Sequence, residues 1–241
     1  MDYLLYYFEM YGYFFVLIAS IFAMIASAGV NSTFQKYSAV LSRRGITGSQ
    51  AAKRVLLDHG VTDVNIARTA GKLTDHYNPK DKTIYLSESV YDSTSVAAIG
   101  VAAHEAGHAV QHAEAYLPIK IRTAIVPITN IGSRLSMPLI LVGLLFSASM
   151  GLSFGYEIAL VGVLLFSLCV IFQLVTLPTE FNASSRALSA IDSGAVLDDD
   201  EMRGARKTLR AAAMTYVAAL AVSLIQFLRL FALVSSGRRR R

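Results

Sequence analysis

Residues 104–108 read His104-Glu105-Ala106-Gly107-His108. On an α-helix, positions four apart are separated by about 40° around the axis and about 6 Å along it, so both imidazoles lean toward one point where a single metal ion can sit. Glu105 points about 100° away from His104, near enough to reach a water on that ion and too far round to crowd it, which is where a general base belongs. The pentapeptide is therefore half of a zinc-hydrolase site. A catalytic zinc takes three protein ligands and keeps one position open, so a further ligand must come from elsewhere in the chain.

The surroundings of the motif favour a metal over two satisfied core histidines. Val101, Ala102, Ala103, Ala109 and Val110 are small and apolar, so the titratable groups lie in a stretch expected to be buried. Unpaired burial there is costly, whereas a dication takes both imidazole lone pairs and neutralises the carboxylate field. His112 follows His104 by about 12 Å along a helix axis, too far for both to bind one ion, and is read as a helix-surface residue or a neighbour of the ligands. Among the carboxylates, Glu114 is on the wrong side of the same helix, Glu88 precedes it too closely to fold back, and Glu157 belongs to the opposite membrane face. Glu180 remains as the third ligand; the plainer role for it is to favour a helix N-terminus through the macrodipole.

The elements that must position these residues are largely membrane spans. The chain has 241 residues, of which 54% are apolar. Four stretches lack Asp, Glu, Lys and Arg: residues 10–35, 135–156, 158–179 and 211–228. About 20 apolar residues cross a bilayer, so the first three suffice and the fourth needs Arg229 and its continuation to Val234. Ala26-Ser27-Ala28 resembles a signal cleavage site, but the apolar run is too long for a signal core and no basic residue precedes it, so the segment is read as an anchor. Tyr3, Tyr6, Tyr7, Tyr11 and Tyr13 fit an interfacial aromatic belt.

Cys169, the single cysteine, excludes an intramolecular disulfide and a cysteine metal site, so any metal is held by His and carboxylate. The net charge of +5 comes from scattered or span-flanking residues with no aromatic-interleaved patch, which argues against nucleic acid. Lys36, Arg43, Arg44, Lys53 and Arg54 follow the first span, and Arg186, Arg203, Arg206, Lys207 and Arg210 follow the third. The bias of positive charge toward the inner side therefore places residue 36 onward, and the zinc motif, in the cytoplasm. The tail Arg238-Arg239-Arg240-Arg241 disagrees: either the last segment is re-entrant or interfacial, or its charges cross the membrane.

Between the spans, Thr47-Gly48-Ser49-Gln50 fits a capping box, with Ala51, Ala52, Val55 and Leu56 at helical spacing and Gly60 as a stop. Residues 61–68 and 73–86 alternate around the turn Asn78-Pro79-Lys80-Asp81, which reads as a small antiparallel sheet. Its strand at residues 83–86 offers an edge for an extended peptide, and His76 or Tyr77 is a candidate oxyanion donor. Residues 96–115 form the helix that carries the motif mid-length. The expected fold is a mainly helical α+β membrane protein with about four membrane-associated helices and a small antiparallel sheet packed on the motif helix. The expected divisions are an anchor at 1–35, a catalytic domain at 36–134, a transmembrane hairpin at 135–179, a helix with the third ligand at 180–210, and a final membrane helix with its basic tail at 211–241.

Beyond the pentapeptide, residues 73–79, 83–87, 100–111 and 180–184 together resemble the membrane-bound neutral zinc metallopeptidases of the YugP-like family. Distant kinship with gluzincin membrane proteases of the HtpX kind is implied as well. The resemblance implies a minimal gluzincin-like core, with Zn2+ held by His104, His108 and Glu180 and with Glu105 as base. It covers most of the chain, with one departure: Asn182 stands where an acidic residue near the third ligand is expected, which weakens the carboxylate support of an imidazole and lowers activity.

The function that follows is hydrolysis of peptide bonds in a peptide or protein substrate by a zinc-activated water, in a protein embedded in the lipid bilayer of a bacterial-type plasma membrane. An intramembrane site-2-type protease would need an Asp from a Leu-Asp-Gly sequence within a span, and spans two and three contain no Asp. The remaining alternative is a membrane scaffold or assembly factor with a structural zinc.

Overall fold

A computed structural model describes residues 2–150 and 154–239; the span-two residues 151–153, Met1, and Arg240 and Arg241 of the basic tail lie outside the described residues. The elements in order are α1 (Asp2–Ser38), α2 (Gly48–Asp58), β1 (Asn65–Thr69), β2 (His76–Asn78), β3 (Thr83–Ser87), α3 (Glu88–Tyr91), α4 (Val96–Ala113), α5 (Leu117–Met150), α6 (Phe154–Ser193) and α7 (Asp199–Arg239). The protein is mainly helical with one small sheet, an α+β arrangement. Helices α1, α5, α6 and α7 each contain a segment long and apolar enough to cross a membrane.

The chain forms two compact units. One comprises Met1–Ile25, Ile121–Thr176 and Tyr216–Arg241. Its interior is a small cluster of Ile140, Ala159, Val163, Leu230 and Val234, while Leu17, Ile18, Leu141, Leu145, Val161 and Leu164 are exposed, as lipid-facing side chains are. Small residues let α5 and α6 approach closely: a Cβ on Gly143 would stand 2.4 Å from the Ala159 nitrogen, and one on Gly162 2.7 Å from the Ser136 oxygen. Arg229, the charge that interrupts the last apolar stretch, stacks its guanidinium 3.6 Å from the centre of the Tyr13 ring and donates to the Gln226 side-chain oxygen at 3.2 Å. Since α7 continues unbroken through Arg229 to Arg239, its last apolar stretch belongs to one long helix and not to a re-entrant hairpin.

The other unit comprises Ala26–Lys120 and Leu177–Thr215. Here α2 starts as its sequence requires: the Thr47 hydroxyl accepts the Gln50 N–H at 3.3 Å and the Gln50 side chain accepts the Thr47 N–H at 3.0 Å. Its apolar face, Ala51, Ala52, Val55 and Leu56, is buried in one core with Ile84 and Leu86 of β3, the alanine-rich α4, Ala187 and Ile191 of α6, and Ala205 and Leu209 of α7. Because α4 is covered on nearly every side, its sequence is apolar all round rather than striped.

The sheet is mixed, not antiparallel as the alternation suggests: its order is β1-β3-β2, with β2 antiparallel and β1 parallel to β3. The tight turn after Asn78 forces β2 and β3 to run in opposite directions, but β1 lies one reversal earlier and so shares the direction of β3. A second correction follows. β3 is the central strand, paired on both sides, so residues 83–86 have no free edge for a peptide; the edges belong to β1 and β2. Helix α5 begins at Leu117, so the domain boundary expected at Arg134 falls inside a helix.

Candidate active site

The motif is held in the middle of α4, whose N-terminus is capped by Ser95: its hydroxyl accepts the Ala98 N–H at 3.2 Å. Glycine permits the approach of the second site helix. A Cβ on Gly107 would stand 2.5 Å from the carbonyl oxygen of Ala183, so α6 crosses α4 at backbone contact directly beside His108. That crossing sets Glu180, one turn before Ala183 and only 1% exposed, opposite the two histidines.

The Glu180 Oε2 lies 3.2 Å from His104 Nε2 and 3.4 Å from His108 Nε2. The two rings meet edge to face with centroids 4.7 Å apart. One donor atom from each of the three residues falls within 4.8 Å of the other two. The far side of each imidazole is already engaged: His108 Nδ1 is 3.0 Å from the Gln111 side-chain oxygen, and His104 Nδ1 is 3.0 Å from the Ser184 hydroxyl. Gln111 offers His108 an acceptor, since its amide group donates to the Thr179 carbonyl at 2.8 Å and to the Asn182 side chain at 2.9 Å. The Gln111 oxygen therefore accepts the His108 Nδ1–H, which leaves Nε2, facing Glu180, as the ring atom open to a metal. Two nitrogen donors and one carboxylate, converging and with the far side of each ring held, are a donor set suited to zinc.

Burial pushes the Glu105 carboxyl up from the usual carboxylate range, against the opposing pull of His104 and His108. Its Oε2 accepts the Tyr77 backbone N–H at 3.0 Å, so the outward edge of β2 lies against Glu105. The strand is held there through Asp75, whose carboxylate accepts the Ser87 N–H at 2.8 Å and the Ser87 hydroxyl at 3.1 Å, tying the start of β2 to the end of β3. Burial raises the Asp75 carboxyl despite those two bonds. For His108, burial alone opposes the charged form, but the Glu180 and Glu105 carboxylates outweigh it and the imidazole is raised.

The structure thus brings His104, Glu105, His108 and Glu180 together. His112 stands apart, its ring 5.5 Å from that of Tyr77. His76 faces away from the site: it pairs across the sheet with Tyr85, stacks on it at 5.1 Å, and so shares the face opposite buried Ile84. It is excluded as an oxyanion donor. Glu114 is engaged by Arg186.

Asn182 touches neither histidine. Its oxygen accepts Gln111 and, at 2.7 Å, the Arg186 Nε, so it supports the support of His108 and leaves the imidazole partner itself unchanged. The residues that hold the rings, Gln111 and Ser184, carry no role that the sequence alone assigns. Their signal is spacing: each lies one turn along its helix from a member of the converging group, Gln111 after His108 and Ser184 after Glu180.

Comparison with known proteins places the chain in a family. A family profile described as "putative neutral zinc metallopeptidase" matches residues 12–235. The chain is 44% identical over 226 residues to the "Putative membrane protease YugP" of Bacillus subtilis (strain 168), covering 90% of this chain and 97% of the relative. No solved structure matches the chain. With the family profile spanning nearly its whole length, the chain belongs to the neutral zinc metallopeptidases.

Proposed function

We propose that the protein is a membrane-embedded endopeptidase in which His104, His108 and Glu180 hold zinc and Glu105 is the general base. The observation that carries this reading is the convergence of the three donor atoms within 4.8 Å, with the other nitrogen of each histidine already engaged. A zinc ion held there supplies Lewis acidity, polarising a carbonyl and bringing the pKa of a water toward about 7. Glu105, raised by burial and hence basic enough to take a proton, accepts it from the attacking water and passes it to the leaving amine. An extended substrate runs beside the outer edge of β2, where the Tyr77 N–H meets Glu105 and a peptide would lie next to it.

A structural zinc would take four protein ligands, whereas the donor group among the described residues has His104, His108 and Glu180 as its members, which favours an open position and catalysis. Glu180 directly follows the apolar stretch 158–179 in α6, and the basic residues that follow spans one and three favour a cytoplasmic orientation for the site. The membrane in question is then a bacterial-type plasma membrane.

The test is metal removal from the purified full-length protein in detergent. Casein cleavage is expected to disappear on stripping with a zinc chelator and to return with stoichiometric zinc; cleavage by the stripped protein would overturn the reading. Replacing Gln111 probes the orientation of His108. Gln111→Leu leaves the Nδ1–H of a buried imidazole without its acceptor, and zinc affinity is expected to fall by about 10–100-fold, measured by competition with a chromophoric chelator. Unchanged affinity would show that Gln111 does not set the ring.

A further inference from the structure

We propose that the cleft between α1 and the first turns of α7 binds the headgroup of an anionic phospholipid. Thr33, Lys36 and Tyr37 of α1 face Lys207, Arg210, Ala211 and Met214 of α7 across a cleft of about 380 Å3. All of these residues belong to one compact unit. Beside the cleft α1 and α7 meet closely at a glycine: a Cβ on Gly204 would stand 2.7 Å from the Tyr37 ring.

Three features select the ligand. The first is charge: Lys36, Lys207 and Arg210 are exposed and form no ion pair among the described residues, whereas Arg43 and Arg44 of the same unit are paired with Asp198 and Asp200. Lys36 instead rests its ammonium 5.7 Å from the Tyr37 ring, leaving its charge available to an outside anion. The second is position. Lys36 directly follows the apolar stretch 10–35 of α1, and Arg210 directly precedes the apolar stretch 211–228 of α7, so the three cations stand at the level where both spans leave the hydrocarbon.

The third is the polarity gradient within the cleft. Lys36 and Lys207 lie at one end, Thr33, Ala211 and Met214 one to two turns further into the apolar stretches. A phosphodiester held by the cations therefore continues into its glycerol and acyl portions along an uncharged wall. A soluble phosphate has no use for that wall, and the bilayer presents anionic lipid at this depth. Basic pockets between membrane helices bind such headgroups by the same electrostatics.

Native mass spectrometry of the full-length protein released from detergent micelles tests this, with dioleoyl phosphatidylglycerol, dioleoyl phosphatidylcholine and inorganic phosphate as separate probes. The expected result is retention of phosphatidylglycerol in preference to phosphatidylcholine. The triple variant K36Q/K207Q/R210Q is expected to lose on the order of a hundredfold in phosphatidylglycerol affinity. The control R203Q/R206Q removes two charges of α7 that do not line the cleft and is expected to retain it. If the triple variant misfolds by its melting profile, R210Q alone is read, with an expected loss of about five- to tenfold. Equal retention by wild type and cleft variants, an equal loss in the control, or displacement of the lipid by millimolar inorganic phosphate would overturn the assignment.

Discussion

Glu105→Gln is expected to keep its zinc and lose its peptidase activity. The substitution preserves the shape of the side chain and an oxygen to accept the Tyr77 N–H, so the base should remain in place against β2. It removes only the ability to take and return a proton. General acid–base groups contribute roughly 10²–10⁴-fold, and a loss in that range is expected in casein cleavage, read in kcat at saturating substrate. Folding should not suffer. Burial disfavours the Glu105 carboxylate, so a neutral amide in its place is expected to leave the melting temperature unchanged or slightly raised. Full cleavage by a zinc-loaded Glu105→Gln protein would show that the proton is handled elsewhere.

Glu180→Ala carries the other large effect. This carboxylate is the one acidic member of the donor group and is 1% exposed, so no water-borne anion takes its place easily. Two imidazoles alone hold zinc far more weakly than three ligands, and zinc affinity is expected to fall by on the order of a hundredfold or more, taking cleavage with it. The apo protein feels the change too: the His108 imidazole, now raised by Glu180 and Glu105, loses the one that hydrogen-bonds it and is expected to drop toward the neutral form favoured by burial. Zinc competition and imidazole NMR titration read the two effects separately. Unchanged zinc affinity together with unchanged activity would remove Glu180 from the ligand set.

Local signals made much of this architecture legible. Uncharged runs mark the four long helices, the Thr47–Gln50 pair marks the start of α2, and a proline-free alanine-rich stretch with serine caps marks α4. Glu180 was reachable because few carboxylates could approach α4 from the right side of the membrane. What escaped depends on contacts between distant segments. Alternation identifies strands but not their neighbours, so β3 is the centre of a mixed sheet rather than an exposed edge.

The site shows the same division. Spacing singles out His104 and His108, yet the partner of each imidazole depends on how α6 crosses α4 at Gly107, which no single helix encodes. Asn182 illustrates the point: its sequence position suggests a weakened histidine partner, while the fold assigns it to Gln111 and Arg186.

Zinc K-edge absorption spectroscopy on the purified full-length protein, combined with metal quantification, tests the central claim most directly. One zinc per chain is expected, coordinated by two imidazole nitrogens, one carboxylate and one exchangeable light-atom ligand, with the carboxylate contribution absent in Glu180→Ala. A chain that takes up no zinc, or one whose zinc is closed by four protein ligands, would contradict it.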